Sequence, residues 1–160
     1  MKMPIAKVND INMYYEMHGG GEPLVLIAGL GTDLTVYEPI INELSQKSKV
    51  LAFDNRGVGR TDKPDAPYAI EMMADDTAAL MSGVGIEKAH VLGISMGGRI
   101  AMALALQHPD KVKSLVLTSY VRDHQDLPVT PGSKAHETCI RDQVRHEKIP
   151  AALLRLRTAA

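Results

Sequence analysis

Ala89-His90-Val91-Leu92-Gly93-Ile94-Ser95-Met96-Gly97-Gly98 is the stretch whose reading decides the fold. Residues 89–92 form a short apolar run that reads as a buried strand, and residues 99–107, apolar almost all round, read as a buried helix. Between them stands the pattern G-x-S-x-G over residues 93–97. A strand that turns into a helix so abruptly must bend sharply at Ser95. The bend strains the serine's backbone and lifts its Oγ above the sheet edge. Side chains two residues to either side would collide, so glycines are expected there. The N-terminal N–H groups of the following helix favour negative charge at the same place. The bare pattern is weak, because glycine and serine are common, but the strand–turn–helix context makes it specific. The competing reading is a small-residue turn that only packs a helix onto a sheet.

Working outward, strand and helix signals alternate. Residues 11–17 read as an early strand closed by His18-Gly19-Gly20-Gly21. Residues 24–27 are a continuous apolar run ending in Ala28-Gly29-Leu30-Gly31, as expected of a strand buried on both faces. Thr32 or Asp33 can cap the next segment, in which Val36, Ile40, Ile41 and Leu44 recur at helical spacing. Residues 50–53 are the next buried strand, residues 63–67 a proline-bearing loop, and residues 70–81 a helix ended by Gly83 and Gly85. Residues 112–117 are the last clear strand. The alternation implies an α/β fold, a mostly parallel sheet of about six strands flanked by helices. We divide the chain into a core over residues 1–119 and an atypical tail over 120–160, richer in charge and holding three of the six histidines. Helices are expected in the tail over 138–147 and 151–157, with no further buried strand.

Composition bounds the function. The chain has 160 residues, ordinary apolar content and a net charge of −1, without the basic excess of a nucleic-acid binder. No apolar run approaches the ~20 residues a membrane helix needs. The single cysteine, Cys139, cannot form an internal disulfide, and residues 1–9 lack an apolar signal core, so a cytoplasmic setting without membrane attachment is expected. No metal or cofactor is implied.

Four segments carry a resemblance: residues 26–32, residues 53–62 (Phe53-Asp54-Asn55-Arg56-Gly57-Val58-Gly59-Arg60-Thr61-Asp62), Ala74-Asp75-Asp76, and residues 92–98. In their order and spacing the chain resembles the N-terminal part of the α/β-hydrolase superfamily over about residues 5–120. It looks most like the 3-oxoadipate enol-lactonase-like and carboxylesterase-like members. Many members carry a histidine where this chain has Ala28, and the enol-lactonase-like ones often lack it too. The resemblance implies Ser95 as nucleophile, the backbone N–H groups of Met96 and Leu30 as oxyanion hole, and an ester or lactone as substrate. It makes the Arg56 and Asp62 loop structural, through internal hydrogen bonds or ion pairs. Asp75 and Asp76, near the start of their helix, are expected to suit its dipole. His18, His90 and His108 are expected to be satisfied or solvated rather than basic.

In this superfamily the triad acid and histidine follow the serine along the chain. By strand count the chain stops at about six of the usual eight, so the ordinary carriers are expected to be absent, and it reads as truncated, its tail the start of a cap. Asp123 or Asp126 could take the acid's place, with His124, His136 or His146 as base; nothing in their spacing singles one out, and a solvated surface histidine is the plainer reading of each. The last strand would then be an open sheet edge, apolar on both faces, inviting a dimer, a domain swap or coverage by the tail. Two readings stay open: a serine hydrolase working through an acyl-enzyme, and a non-catalytic fragment that binds a small molecule or a partner chain. A nucleotide-binding domain is disfavoured, because Gly29-Leu30-Gly31 lacks a third glycine and no Walker motif occurs.

Overall fold

The computed structural model describes residues 4–119. Six strands make one sheet: β1 (Ile5–Val8), β2 (Ile11–His18), β3 (Glu22–Ile27), β4 (Ser48–Phe53), β5 (Ala89–Ile94) and β6 (Val112–Thr118). Three helices connect them, α1 (Glu38–Leu44), α2 (Ile70–Gly83) and α3 (Met96–Gln107), with short 3-10 turns at Leu34–Tyr37 and Pro109–Lys111. The spatial order is β1-β2-β4-β3-β5-β6. Strands β4, β3, β5 and β6 run parallel, and the β1–β2 hairpin closes one side antiparallel. The expected α/β architecture, a mostly parallel sheet of six strands flanked by helices, is therefore present.

Alternation along the central strands splits the core in two. Val25, Ile27, Leu51, Phe53 and Val91 pack beneath α2 and α3. Leu26, Ala28, Val50 and Ala52 pack with Leu34, Tyr37 and Ile41 on the opposite face. Strands buried on both faces leave no polar position, which is why these segments read as unbroken apolar runs.

The crossover from β3 leads through α1 to β4 on one side of β3; the crossover from β4 returns past β3 to β5 on its other side. The connection after β5 runs through α3 to β6, away from β3, so the connections after β3 and β5 diverge at adjacent strand ends. Such a switch point opens a crevice at the carboxyl edge of the sheet, where α/β proteins bind ligands.

Three expectations need correction. Only half of the stripe Val36, Ile40, Ile41 and Leu44 is buried: Ile41 faces the core and Leu44 packs against it, whereas Val36 and Ile40 are exposed and Leu34 and Tyr37 are buried instead. The segment begins as a 3-10 turn, whose tighter winding rotates the buried face before α1 starts. Strand β6 is apolar mainly on one face. Val112, Leu115 and Leu117 pack against the core, while Ser114, Val116 and Thr118 are exposed. An irregularity opposite Ala89 and His90 inserts Lys113 and shifts the alternation. Asp75 and Asp76 lie beyond the first turn of α2, whose first-turn acid is Glu71.

Candidate active site

Ser95 stands between the end of β5 and the first residue of α3 with φ 54° and ψ −117°. A non-glycine residue with positive φ is uncommon and signals strain. Two hydrogen bonds hold it there: Ser95 N–H donates to the Thr118 carbonyl at the end of β6 (2.9 Å), and Gly98 N–H donates to the Ser95 carbonyl (2.9 Å).

The flanking glycines answer the steric expectation. A Cβ on Gly93 would come 2.5 Å from the Gly97 carbonyl oxygen, and one on Gly97 would come 2.1 Å from that of Ile27. Both obstacles are backbone, so neither can move aside cheaply. Only glycine lets α3 descend onto β3 and β5 this closely.

The loop after β3 lies against the serine. A Cβ on Gly29 would stand 3.5 Å from Ser95 Cβ and 3.2 Å from the Tyr37 hydroxyl. Gly29 N–H donates to Tyr37 Oη (3.1 Å), and Thr32 Oγ1 donates to the Gly29 carbonyl (3.1 Å). Asn55 Nδ2 donates to the Ala28 carbonyl (3.1 Å). Thr32, Tyr37 and Asn55 shape this loop, yet the sequence marks Thr32 only as a capping candidate and as the end of a family-like segment, and gives Tyr37 no role. The one signal was an isolated aromatic eight residues beyond the glycine.

The loop after β4 is a brace. The fully buried Asp54 accepts from the N–H groups of Leu34 (2.8 Å) and Arg60 (2.9 Å), joining the loops after β3 and β4. Gly59, at φ +52°, is needed there because a Cβ would fall 2.2 Å from Asp54 Oδ2. Asp62 accepts from Asn12 N–H (2.9 Å) and Asn12 Nδ2 (3.0 Å). Arg56 pairs with Asp76 and Asp10. Their hydrogen bonds, Asp10's first, raise the guanidinium pKa above its ordinary value. The structural role expected of Arg56 and Asp62 is what the geometry gives.

The described histidines are all engaged elsewhere. His18 contacts Glu16 (2.8 Å), His90 contacts Ser114 Oγ (2.7 Å) and His108 contacts Asp75 (2.7 Å). His90 sits near the opposite end of β5 from Ser95, about 16 Å away at strand rise. Two open depressions lie away from the serine, one of about 670 Å³ reaching Arg56, Asp76 and His108, the other bordered by Ile86 and Asp110. The five tail candidates, Asp123, His124, Asp126, His136 and His146, lie outside the described residues, as do the helices expected there. Among the described residues, no group of three or more metal-binding side chains occurs and no helix is long and apolar enough to cross a membrane.

Known proteins share the sequence and fold of this chain over part of their length. The family model for the α/β hydrolase fold matches residues 22–135. Azorhizobium caulinodans has a relative named "Putative carbamate hydrolase RutD", 39% identical over 117 residues, covering 73% of this chain and 44% of the relative. The 2-hydroxymuconate semialdehyde hydrolase of Pseudomonas sp. strain CF600 is 35% identical over 121 residues, 73% of this chain and 42% of its own length. Among solved structures, the enol-lactonase from Burkholderia xenovorans LB400 superposes with a TM-score of 0.67 at 36% identity, covering 70% of this chain and 45% of that one. The chain spans less than half the length of these relatives. A serine bent into a strained turn beside a glycine loop is thus found with the family's sequence around it, and the chain belongs to the α/β hydrolase fold family.

Proposed function

We propose that this chain carries the nucleophile and oxyanion hole of a serine hydrolase acting on a carboxylic ester or lactone. The observation that carries the reading is Ser95 itself, a strained serine at the switch point of the sheet, with the Gly29 loop against its Cβ. Strain of this kind persists only where the surrounding structure enforces it, and it clusters at functional sites. The hydrolase names of the relatives and the enol-lactonase likeness support the substrate class by analogy.

In the proposed reaction, Ser95 Oγ attacks the carbonyl carbon while a base takes its proton. The oxygen of the tetrahedral intermediate gains a negative charge and accepts hydrogen bonds from the Met96 and Leu30 N–H groups, each worth about 3 kcal/mol in the transition state. Collapse breaks the ester C–O bond, the leaving alkoxide takes a proton, and an acyl-enzyme remains. Water then adds to the acyl carbon and releases the acid, returning the proton to Ser95.

The base decides how active this chain is. Among the described residues no histidine hydrogen-bonds to Ser95 Oγ. His124, His136 and His146 are the candidates within the chain, with Asp123 or Asp126 as acid. Without a base, turnover falls about a millionfold, leaving trace activity. The cytoplasmic setting belongs to this same reading and rests on the single cysteine.

A fluorophosphonate probe tests the proposal, because it phosphonylates only an activated serine. Prompt labelling, lost in Ser95→Ala, is the expected result. Alanine at each tail histidine in turn then identifies the base. Complete inertness of Ser95 would favour the second reading, a hydrolase-like fragment that binds a small molecule or a partner chain.

A further inference from the structure

Resting on the hydrolase reading above, we infer that Thr32 and Tyr37 are positioning residues that aim the Leu30 N–H as an oxyanion donor. The basis is a closed ring of hydrogen bonds beneath the Gly29 loop. Gly29 N–H donates to Tyr37 Oη at 3.1 Å, and Thr32 Oγ1 donates to the Gly29 carbonyl at 3.1 Å. Thr32 Oγ1 and Tyr37 Oη stand 3.0 Å apart. A carbonyl can only accept, so the single hydroxyl proton of Thr32 is spent on Gly29. The Tyr37 hydroxyl therefore donates to Thr32. Every bond in the ring points the same way round, an arrangement in which each strengthens the next. Tyr37 is buried and Thr32 half-buried, so the Gly29–Tyr37 side of the ring is the one shielded from competing water.

The ring clamps two successive peptide planes. The plane between Ala28 and Gly29 is held at its oxygen by Asn55 and at its N–H by Tyr37. The plane between Gly29 and Leu30 is held at its oxygen by Thr32. Among the described residues no peptide bond is cis. In a planar trans peptide the N–H points opposite to the C=O. Fixing the Gly29 carbonyl toward the Thr32 hydroxyl therefore fixes the direction of the Leu30 N–H away from it. A donor held in place before the reaction costs no reorganisation when the oxyanion forms. A ring that served only to stabilise the loop would affect unfolding but not the reactivity of Ser95.

The test compares Thr32→Val, which keeps the shape and loses the hydroxyl, with Thr32→Ser, which restores it, and with Tyr37→Phe. The rate of fluorophosphonate labelling at Ser95 is measured alongside the 1H–15N signal of the Leu30 amide. Removing a whole donor costs about 100- to 1,000-fold. Loss of aim should therefore slow labelling by about tenfold or more in Thr32→Val and Tyr37→Phe, with recovery in Thr32→Ser. The Leu30 amide signal should shift in the same two variants and return with serine. Wild-type labelling rates in folded Thr32→Val and Tyr37→Phe would overturn the inference. If the wild-type chain is not labelled, the hydrolase reading fails and the amide signal decides the positioning role: a shift reversed by serine carries it, and an unmoved signal in both variants overturns it. Tyr37→Phe keeps the test open should Thr32→Val fail to fold.

Discussion

Arg56 and Asp76 meet through two hydrogen bonds, Nε to Oδ2 at 2.8 Å and an Nη to Oδ1 at 2.9 Å, with both side chains almost wholly buried. The pair ties the loop after β4 to the second turn of α2. The other edge of the guanidinium reaches Asp10 in the β1–β2 turn, and Asn9 Nδ2 donates to Asp76 at 2.8 Å. One side chain thus joins three elements that are far apart in sequence. Removing one member of a buried pair costs up to about 3–5 kcal/mol when the other is left uncompensated, and here the largely exposed Asp10 still holds one edge of Arg56. Asp76→Ala should lose stability on that scale, read from the urea midpoint. A loss below about 1 kcal/mol would mean that Asp10 and water compensate Arg56.

Acid should loosen the same brace from its exposed end. The hydrogen bonds from Arg56 hold the Asp10 carboxyl below its ordinary value of 3.8. A carboxylate depressed on folding stabilises the fold above its unfolded pKa, and that contribution is lost as pH falls through the folded one. The loss attributable to Asp10 therefore begins near pH 3.8 and grows below it. Urea midpoints of the wild type and Asp10→Asn, followed from near neutrality into acid, should differ most at the top of the range and converge at the bottom. Parallel curves would show that Asp10 adds nothing to acid sensitivity.

Two glycines should respond in opposite directions to alanine. At Gly97 the new methyl meets the Ile27 carbonyl oxygen at 2.1 Å, so α3 or β3 must shift, and overpacking of this kind costs about 1–3 kcal/mol. At Gly83, the last residue of α2, nothing lies within 4 Å of the added carbon, and alanine's helix preference favours it by up to about 1 kcal/mol. Thermal unfolding of Gly97→Ala and Gly83→Ala should therefore fall on either side of the wild type. A destabilised Gly83→Ala would remove the contrast.

The sheet was legible because its middle strands are buried on both faces. Residues 24–27, 50–53 and 89–92 can hardly be read otherwise, and each lies within an observed strand. Strand β1 escaped notice because Ile5-Ala6-Lys7-Val8 is short, mixed in polarity and mostly outside the core. At the site, the elbow was legible because its rule is local: strain and crowding act between neighbours such as Gly93 and Gly97. The ring of Gly29, Tyr37 and Thr32 and the clamp from Asn55 to Ala28, 27 residues away, were not. They depend on how the chain returns to itself, and a tyrosine or asparagine in a loop gives no sign of its distant partner.

The strain at Ser95 makes a last prediction that separates folding from function. At φ 54° and ψ −117° a side chain is disfavoured, and only glycine occupies such angles freely. Ser95→Gly should relieve about 1 kcal/mol or more, less a part for the added freedom of the unfolded chain. Ser95→Ala keeps a Cβ in the same backbone and should keep the strain. Both variants lose the hydroxyl, so their difference in unfolding temperature reports the backbone alone. A more stable Ser95→Gly would mean that the wild-type serine is kept at an energetic cost that packing does not repay, as expected where a side chain is selected for chemistry. Equal stability of the two variants would locate the strain elsewhere in the turn and weaken the argument that Ser95 is held for attack.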